Sequence, residues 1–522
     1  MSRSPRTGAF PLEGLPLVVA VLVVYAWLFA WFPALRSPNE LSRLYQTRAI
    51  VNAHALSLNE EIARRGPVGD VAVRAGHYYA AKAPGISLLG IPVYAALREL
   101  RGGDSRVTDR AGIYFLRLFA CALPAALAVE AMRRILARRF DRRLAAAGAA
   151  LLAVGTLVWP YATQLASHAT TTAALLACWD AIDRTRETGR ARYAWWAGFT
   201  AGSALLLEYT SALYVVPLAA YALLPSASRW RVAALGAAGA AVPLGALAVV
   251  QNAAFGSPLA NPYSFLANPV YVSWHAQGLF GFGAPRLDAL ITSFVDPARG
   301  LFAYAPFLAL GFAGIPALYR RDRAAGALCA AAALLGVVFT AGFELRAWGW
   351  SVGPRHLTPL CAFLVPPALA CADQLRERGY AIVAGTLAAY SVLALAIVLA
   401  VCPYLPDDMT NPMHQLVLPL AREGLHVADL AGMATGQRTP WTLLPWVGAV
   451  LVVAVPAVAA LGGPSTPLRS ARFTAVAALA GVALILATGT LGGRDVFEQS
   501  RALVRSVYDP RGGTVAGLFD PP

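Results

Sequence analysis

Long apolar runs separated by short polar connections set the pattern of this chain from one end to the other. A membrane-spanning helix needs roughly 20 mostly apolar residues. Runs of that kind, some of them shorter, fall at 10–35, 112–132, 144–160, 169–182, 193–207, 211–224 and 232–252. They continue at 301–319, 324–343, 356–372, 380–401, 441–462 and 473–491. The pattern predicts an all-α polytopic membrane protein with about 13 transmembrane helices. The other spanning architecture, a closed barrel, requires alternating ten-residue strands, and the chain has none. One integral membrane domain is expected over 1–491, followed by a short outer tail at 492–522. The first run follows two arginines, Arg3 and Arg6, but it is too long and too bulky at its end for a cleaved signal peptide. It reads as an uncleaved first span.

Charge then orients the bundle. The connections 133–143, 184–192, 229–231, 320–323, 376–378 and 469–472 are short and rich in arginine, whereas 161–168 and 208–210 carry almost no positive charge. Basic residues mark the cytoplasmic side. The N-terminus is therefore expected in the cytoplasm, with the long loops 36–111, 253–300, 344–355 and 403–440 outside. Segment 85–97 is apolar but too short to cross, and letting it cross would move the arginines of 133–143 outside. It is expected to lie on the membrane surface. Leu41, Leu44, Val51, Ala55, Leu58 and Ile62 recur at helical spacing and predict a second surface helix over 40–65, with Asn39 as its N-cap and Glu40 in its first turn. The first outer loop is thus predicted to hold two juxtamembrane helices.

Composition narrows the function. Of the 522 residues, 58% are hydrophobic and only 14% charged, against about 25% charged in soluble domains. The net charge of +15 follows from arginines that flank helices, so nucleic acid is not an expected partner. All six cysteines lie in or beside apolar runs, which argues against disulfides and cysteine-bound metal. No Walker A loop, zinc signature such as HExxH or nucleophile elbow is present, which argues against ATP hydrolysis and metalloprotease chemistry. No cofactor is expected; a divalent metal stays open.

The chemistry-bearing residues crowd the outer loops. Lys82, the chain's only lysine, follows His77, Tyr78 and Tyr79 in the first outer loop. A compact cation at the membrane surface suits a phosphate; a stray lysine in an arginine-rich chain is the plainer reading. Glu40 is a candidate general base, or simply a carboxylate favoured in a helix's first turn. Asp70 is a second candidate carboxylate or a turn residue. Glu344, Arg346, Trp348, Trp350, Arg355 and His356 cluster in one outer connection. Interfacial tryptophans are ordinary there, but Arg346 and Arg355 are candidate phosphate ligands. His168 sits at an outer helix end, as an interfacial or a substrate-facing side chain.

Together these motifs resemble the GT-C-fold glycosyltransferases that use polyprenyl-phosphate sugars, in particular bacterial relatives of protein O-mannosyltransferases and lipid A aminoarabinose transferases. The family's acidic pair at the start of the first outer loop is matched by Asn39-Glu40, with its first acid missing. Its Lys-Pro-Pro motif is matched by Lys82-Ala83-Pro84, with alanine in the middle. Asn252 with Phe255-Gly256-Ser257-Pro258, then Asp296-Pro297-Ala298-Arg299-Gly300, and Gly349-Trp350-Ser351-Val352-Gly353-Pro354-Arg355 are similar to bacterial members. The resemblance runs over residues 10–375. It implies a GT-C-like bundle in a bacterial plasma membrane with a periplasmic active site. It implies a polyprenyl-phosphate-linked sugar as donor and a glycan, lipid or protein hydroxyl as acceptor. In that reading Glu40 and Asp70 are catalytic, and Lys82, Arg355 and Arg346 hold the donor phosphate. His77, Tyr78, Tyr79, Trp350 and His168 contact substrate. A flippase or transporter is the main rival, followed by a ligase moving a whole lipid-linked glycan and by a non-catalytic assembly subunit. Ionisable residues near the bilayer midplane would favour transport, and Arg117 is the one obvious example.

Overall fold

The computed structural model describes residues 12–29, 37–223, 229–276, 278, 281–344, 349–437, 439–463, 466–490 and 502. The predicted tail at 492–522, apart from Ala502, lies outside them, and so does Arg346. The described residues form an α-helical bundle. Seven helices are long and apolar enough to cross a membrane: Asp109–Ala137, Arg229–Phe255, Arg323–Gly342, Arg355–Glu377, Ala381–Val401, Pro440–Leu461 and Pro467–Thr490. Each remaining predicted span also has helix over it, in shorter, broken or more polar form. The run at 144–160 breaks where the Thr156 hydroxyl bonds the Leu152 carbonyl and accepts from the Val158 amide. The run at 301–319 bends at Ala305 before Pro306.

The polypeptide is a multi-pass membrane protein whose polar side chains gather at two ends. One end carries the short arginine-rich connections. There Arg138 pairs with Asp180 and Glu187, Arg139 with Asp183 and Asp322, and Arg321 with Asp373. The helix Ser167–Thr188 runs from this network to the other end. Its 22 residues rise about 1.5 Å each, enough to cross the hydrocarbon.

Arg117, the charge predicted deep within a span, is fully buried and ties the first helix to its neighbour. Its guanidinium donates to the carbonyls of Tyr25, Ala26 and Leu28 at 3.0, 3.4 and 2.7 Å. These lie at the C-terminal end of helix Leu15–Trp27, where unsatisfied carbonyls and the helix dipole favour a cation.

The loop expected at 36–111 is richer than two helices. The stripe over 40–65 splits into Pro38–Ala53 and Asn59–Arg65, because His54 takes the left-handed conformation (φ 50°) and ends the first piece. The cap of the first piece is Ser37, whose hydroxyl accepts from the Glu40 amide at 3.4 Å, so the cap expected at Asn39 moves two residues back. Pro38 at the first helical position explains the shift, since it needs no amide partner and its φ is preset. A hairpin that hydropathy does not reveal follows: Val71–Arg74 pairs antiparallel with His77–Ala80. Ala75 and Gly76 form its turn with φ 49° and 78°, as two-residue hairpin turns require. Gly85–Arg101 then lays Ile86, Tyr94 and Leu97 against Leu44, Ile113 and Leu116. A helix thus covers the segment 85–97 and continues to Arg101. A Cβ on Gly85 would lie 2.7 Å from the Leu206 carbonyl oxygen, so only glycine permits this approach.

Candidate functional site

At the end opposite the arginine-rich connections a cavity of about 420 Å³ opens. Lys82, Glu208, Tyr263, His275, Arg355 and His356 line it. Lys82 follows directly on the hairpin, which holds its ammonium 3.5 Å from Asp70 Oδ1 and 3.5 Å from the Tyr263 hydroxyl. The ammonium also lies 5.0 Å from the Tyr263 ring centroid. Burial works against the Lys82 charge, but Asp70 and then Tyr263 outweigh it and hold its pKa above the ordinary value. Arg355, 273 positions later in the chain, feels the Lys82 charge across the same cavity.

Two carboxylates besides Asp70 belong to this region. Glu208 lines the cavity and accepts a 2.7 Å hydrogen bond from the Ser167 hydroxyl. Ser167 in turn receives the Arg43 guanidinium at 3.3 Å. Glu40 lies one turn before Arg43, buried behind the cavity wall at 3% exposure. Its Oε1 accepts from the Leu165 amide at 2.5 Å, and its Oε2 from the Tyr404 hydroxyl at 2.6 Å. Burial raises the Glu40 pKa; Tyr404, Leu165, Arg43 and Arg117 offset part of that rise. The segment 165–167 therefore connects the two carboxylates, with Glu40 on its backbone and Glu208 on its serine.

Around the cavity several buried nitrogens lack a hydrogen-bond partner among the described residues: Arg43 Nε, His168 Nδ1 and His356 Nδ1. The two imidazoles meet edge to face with centroids 5.3 Å apart. Buried polar atoms are ordinarily satisfied, so this cluster is shaped for water or a polar ligand. No group of three or more His, Cys, Asp or Glu among the described residues is arranged to hold a metal ion.

The predicted residues distribute unevenly. Lys82 and Arg355 share the cavity, Asp70 contacts Lys82, and His168 adjoins His356. Tyr79 packs on Phe255 at 5.5 Å and lines a small neighbouring pocket together with Lys82. His77 and Tyr78 are exposed on the hairpin and do not line the cavity. Trp350 packs against the hydrophobic core. Sequence reasoning missed Arg43, Glu208, Tyr263, His275 and Tyr404. A usable signal existed for Glu208, a lone acid in the three-residue connection 208–210 between apolar runs. Arg43 lies off the apolar stripe predicted over 40–65, so periodicity gives no signal for it. Nothing local distinguishes Tyr404, which comes from the connection 403–440.

No family model and no curated protein matches the chain. Among solved structures it is similar to ArnT from Cupriavidus metallidurans in the apo state, at 17% identity and a TM-score of 0.46, covering 91% of this chain and 76% of that one. It is also similar to the arabinosyltransferase EmbB from Mycobacterium smegmatis, at 12% identity and a TM-score of 0.45, covering 97% of this chain and 42% of the other. A third similarity is to the Archaeoglobus fulgidus oligosaccharyltransferase tethered with an acceptor peptide, at 13% identity and a TM-score of 0.42, covering 87% and 55%. At these values the likenesses assign no chemistry.

Proposed function

We propose that the protein is a GT-C-type glycosyltransferase that moves a single sugar from a polyprenyl phosphate to an acceptor hydroxyl at the outer face of the membrane. The observation that carries the reading is the cavity itself: Lys82, Arg355 and two histidines around one pocket, with the Glu208 carboxylate on its wall. A polyprenyl donor cannot leave the bilayer, so its phosphate must be met at the membrane surface. Lys82 and Arg355 stabilise the charge that develops on that phosphate as it leaves; fixed cations shielded from water are effective there.

The acceptor oxygen attacks the anomeric carbon in line and forms the new glycosidic bond. The bond from that carbon to the phosphate oxygen breaks, and its electron pair departs with polyprenyl phosphate. The anomeric carbon inverts. The acceptor's proton passes to a carboxylate. Glu40 is the base that the resemblance implies, and its raised pKa suits proton acceptance. For Glu40 to act, the acceptor hydroxyl replaces the Tyr404 hydroxyl that now donates to it. A second reading is favoured by access: Glu208 already faces the cavity, so it takes the proton and Glu40 positions the 165–167 segment.

The test uses purified full-length protein and polyprenyl phosphate alone as the binding probe, then a panel of polyprenyl-phosphate sugars. Lys82→Ala and Arg355→Ala are expected to weaken binding of the probe, and wild type to release it from at least one sugar donor. Unchanged probe binding in both variants rejects the cavity as the phosphate site. Lipid translocation in vesicles without any sugar transfer favours the flippase instead.

A further inference from the structure

A second cavity, of about 760 Å³, lies at the arginine-rich end of the bundle. It sits among the helices Ser167–Thr188, Ala191–Leu207, Ala212–Leu223 and Arg229–Phe255. Along Ala191–Leu207 its lining extends from Ala191 to Ala201, which at 1.5 Å per residue is about 15 Å. That is half of a hydrocarbon core of about 30 Å, the depth of one leaflet. Its wall is apolar and built largely of alanine and glycine, with Arg186 and Arg231 as the charged lining residues.

The charges on the helix Ser167–Thr188 are sorted by face. Its acids Asp180, Asp183 and Glu187 turn to Arg138 and Arg139. Arg186 is left on the cavity side, where it donates to the Tyr221 carbonyl and stacks 3.6 Å from the centroid of the Tyr221 ring. No acidic side chain lines the cavity, and neither Arg186 nor Arg231 forms an ion pair among the described residues. The wall formed by Arg229–Phe255 faces outward along most of its length, with 11% of its apolar stretch buried. It rests on Ala191–Leu207 through a close glycine contact, in which a Cβ on Gly198 would collide with the Gly236 carbonyl.

We propose that this cavity binds one anionic phospholipid from the leaflet at the arginine-rich end. An acyl chain fills the alanine- and glycine-lined space, and the phosphate sits between Arg186 and Arg231. Depth selects a leaflet lipid, because a polyprenyl chain is not limited to half a bilayer. Two cations on a lining without acids select a negative headgroup. The lipid packs where protein does not and steadies the helix Arg229–Phe255.

The experiment is native mass spectrometry of the full-length protein titrated with phosphatidylglycerol or with phosphatidylcholine of the same acyl chains. Two arginines at a membrane surface predict tighter binding of phosphatidylglycerol by on the order of thirty-fold. Arg231→Ala combined with Arg186→Gln, which keeps a donor for the Tyr221 carbonyl, should bring the two lipids to parity. Ala197→Leu with Ala237→Leu fills the cavity and should weaken both lipids. Phosphatidylglycerol should also raise the melting temperature of wild type and not of the filled variant. Equal affinity of wild type for the two headgroups overturns the proposal. So does a phosphatidylglycerol preference that survives replacement of both arginines, or lipid binding that survives filling. Displacement of phosphatidylglycerol by a tighter-binding polyprenyl phosphate, abolished by filling, would assign the cavity to a donor tail instead.

Discussion

The arginine network and the cavity at the opposite end of this bundle bury charge in opposite ways. At the arginine-rich end nearly every buried carboxylate meets a guanidinium: Asp180, Asp183, Asp322 and Asp373 are all paired, several of them twice. At the other end Lys82 shares one carboxylate at 3.5 Å, while Arg43 Nε and two histidine nitrogens are left without hydrogen bonds among the described residues. Internally neutralised charge holds helices together. Around the cavity, polar groups keep bonding capacity to spare, which is what the proposed donor phosphate would use. The contrast separates a structural network from a site when both are rich in ionisable side chains.

The strongest way to break that contrast is to remove the base. Glu40→Gln and Glu208→Gln keep shape and hydrogen bonding, so both should fold, and the variant of the true base should lose about 10²–10⁴-fold in kcat. A loss confined to Glu208→Gln makes Glu40 a positioning residue; a loss confined to Glu40→Gln identifies the buried carboxylate as the base. Next is Arg139→Ala at the paired end. Its side chain is 5% exposed, against 4% for Asp183; breaking so buried a pair costs about 3 kcal/mol of stability, the low end of the usual range, because Arg138 and the Tyr221 hydroxyl still face Asp183. The melting temperature should fall while polyprenyl phosphate affinity of the folded fraction holds. Equal damage to binding would erase the distinction between the two ends.

Lys82→Ala should have the reverse profile. Removing one charge-assisted contact weakens polyprenyl phosphate binding by about 1.5–3 kcal/mol, measured by calorimetry in detergent, with a smaller loss of thermal stability. The smallest effect is expected from Tyr404→Phe. The tyrosine hydroxyl lowers the Glu40 pKa, against the larger rise caused by burial. Without it the carboxylate protonates more easily, so the acid limb of kcat/KM moves to higher pH if Glu40 is the base. An acid limb that stays in place assigns the titration to another group. The same raised pKa has a stability consequence. The contribution of Glu40 is greatest below its unfolded value and is lost as pH rises through its folded value.

Hydropathy and arginine placement alone predicted where the apolar helices run and which end gathers the positive charge. Both are local properties: an apolar stretch must be helical in a bilayer to satisfy its own backbone, and arginines cluster at helix ends within a few residues. That Gly85–Arg101 is a helix with an apolar face was legible for the same reason. The cap at Ser37, the break at His54 and the hairpin after Asp70 escaped that reading, because they depend on single-residue dihedrals that hydropathy averages away. The site was legible only as a set of candidates. Lys82 and Arg355 stood out by residue type, but what faces them is decided by helices distant in sequence. Glu208, Tyr263 and His275 reach the cavity on separate elements, and Tyr404 arrives at Glu40 from 364 residues away. A charge's surroundings depend on which helices pack together, and no periodicity along one helix encodes that.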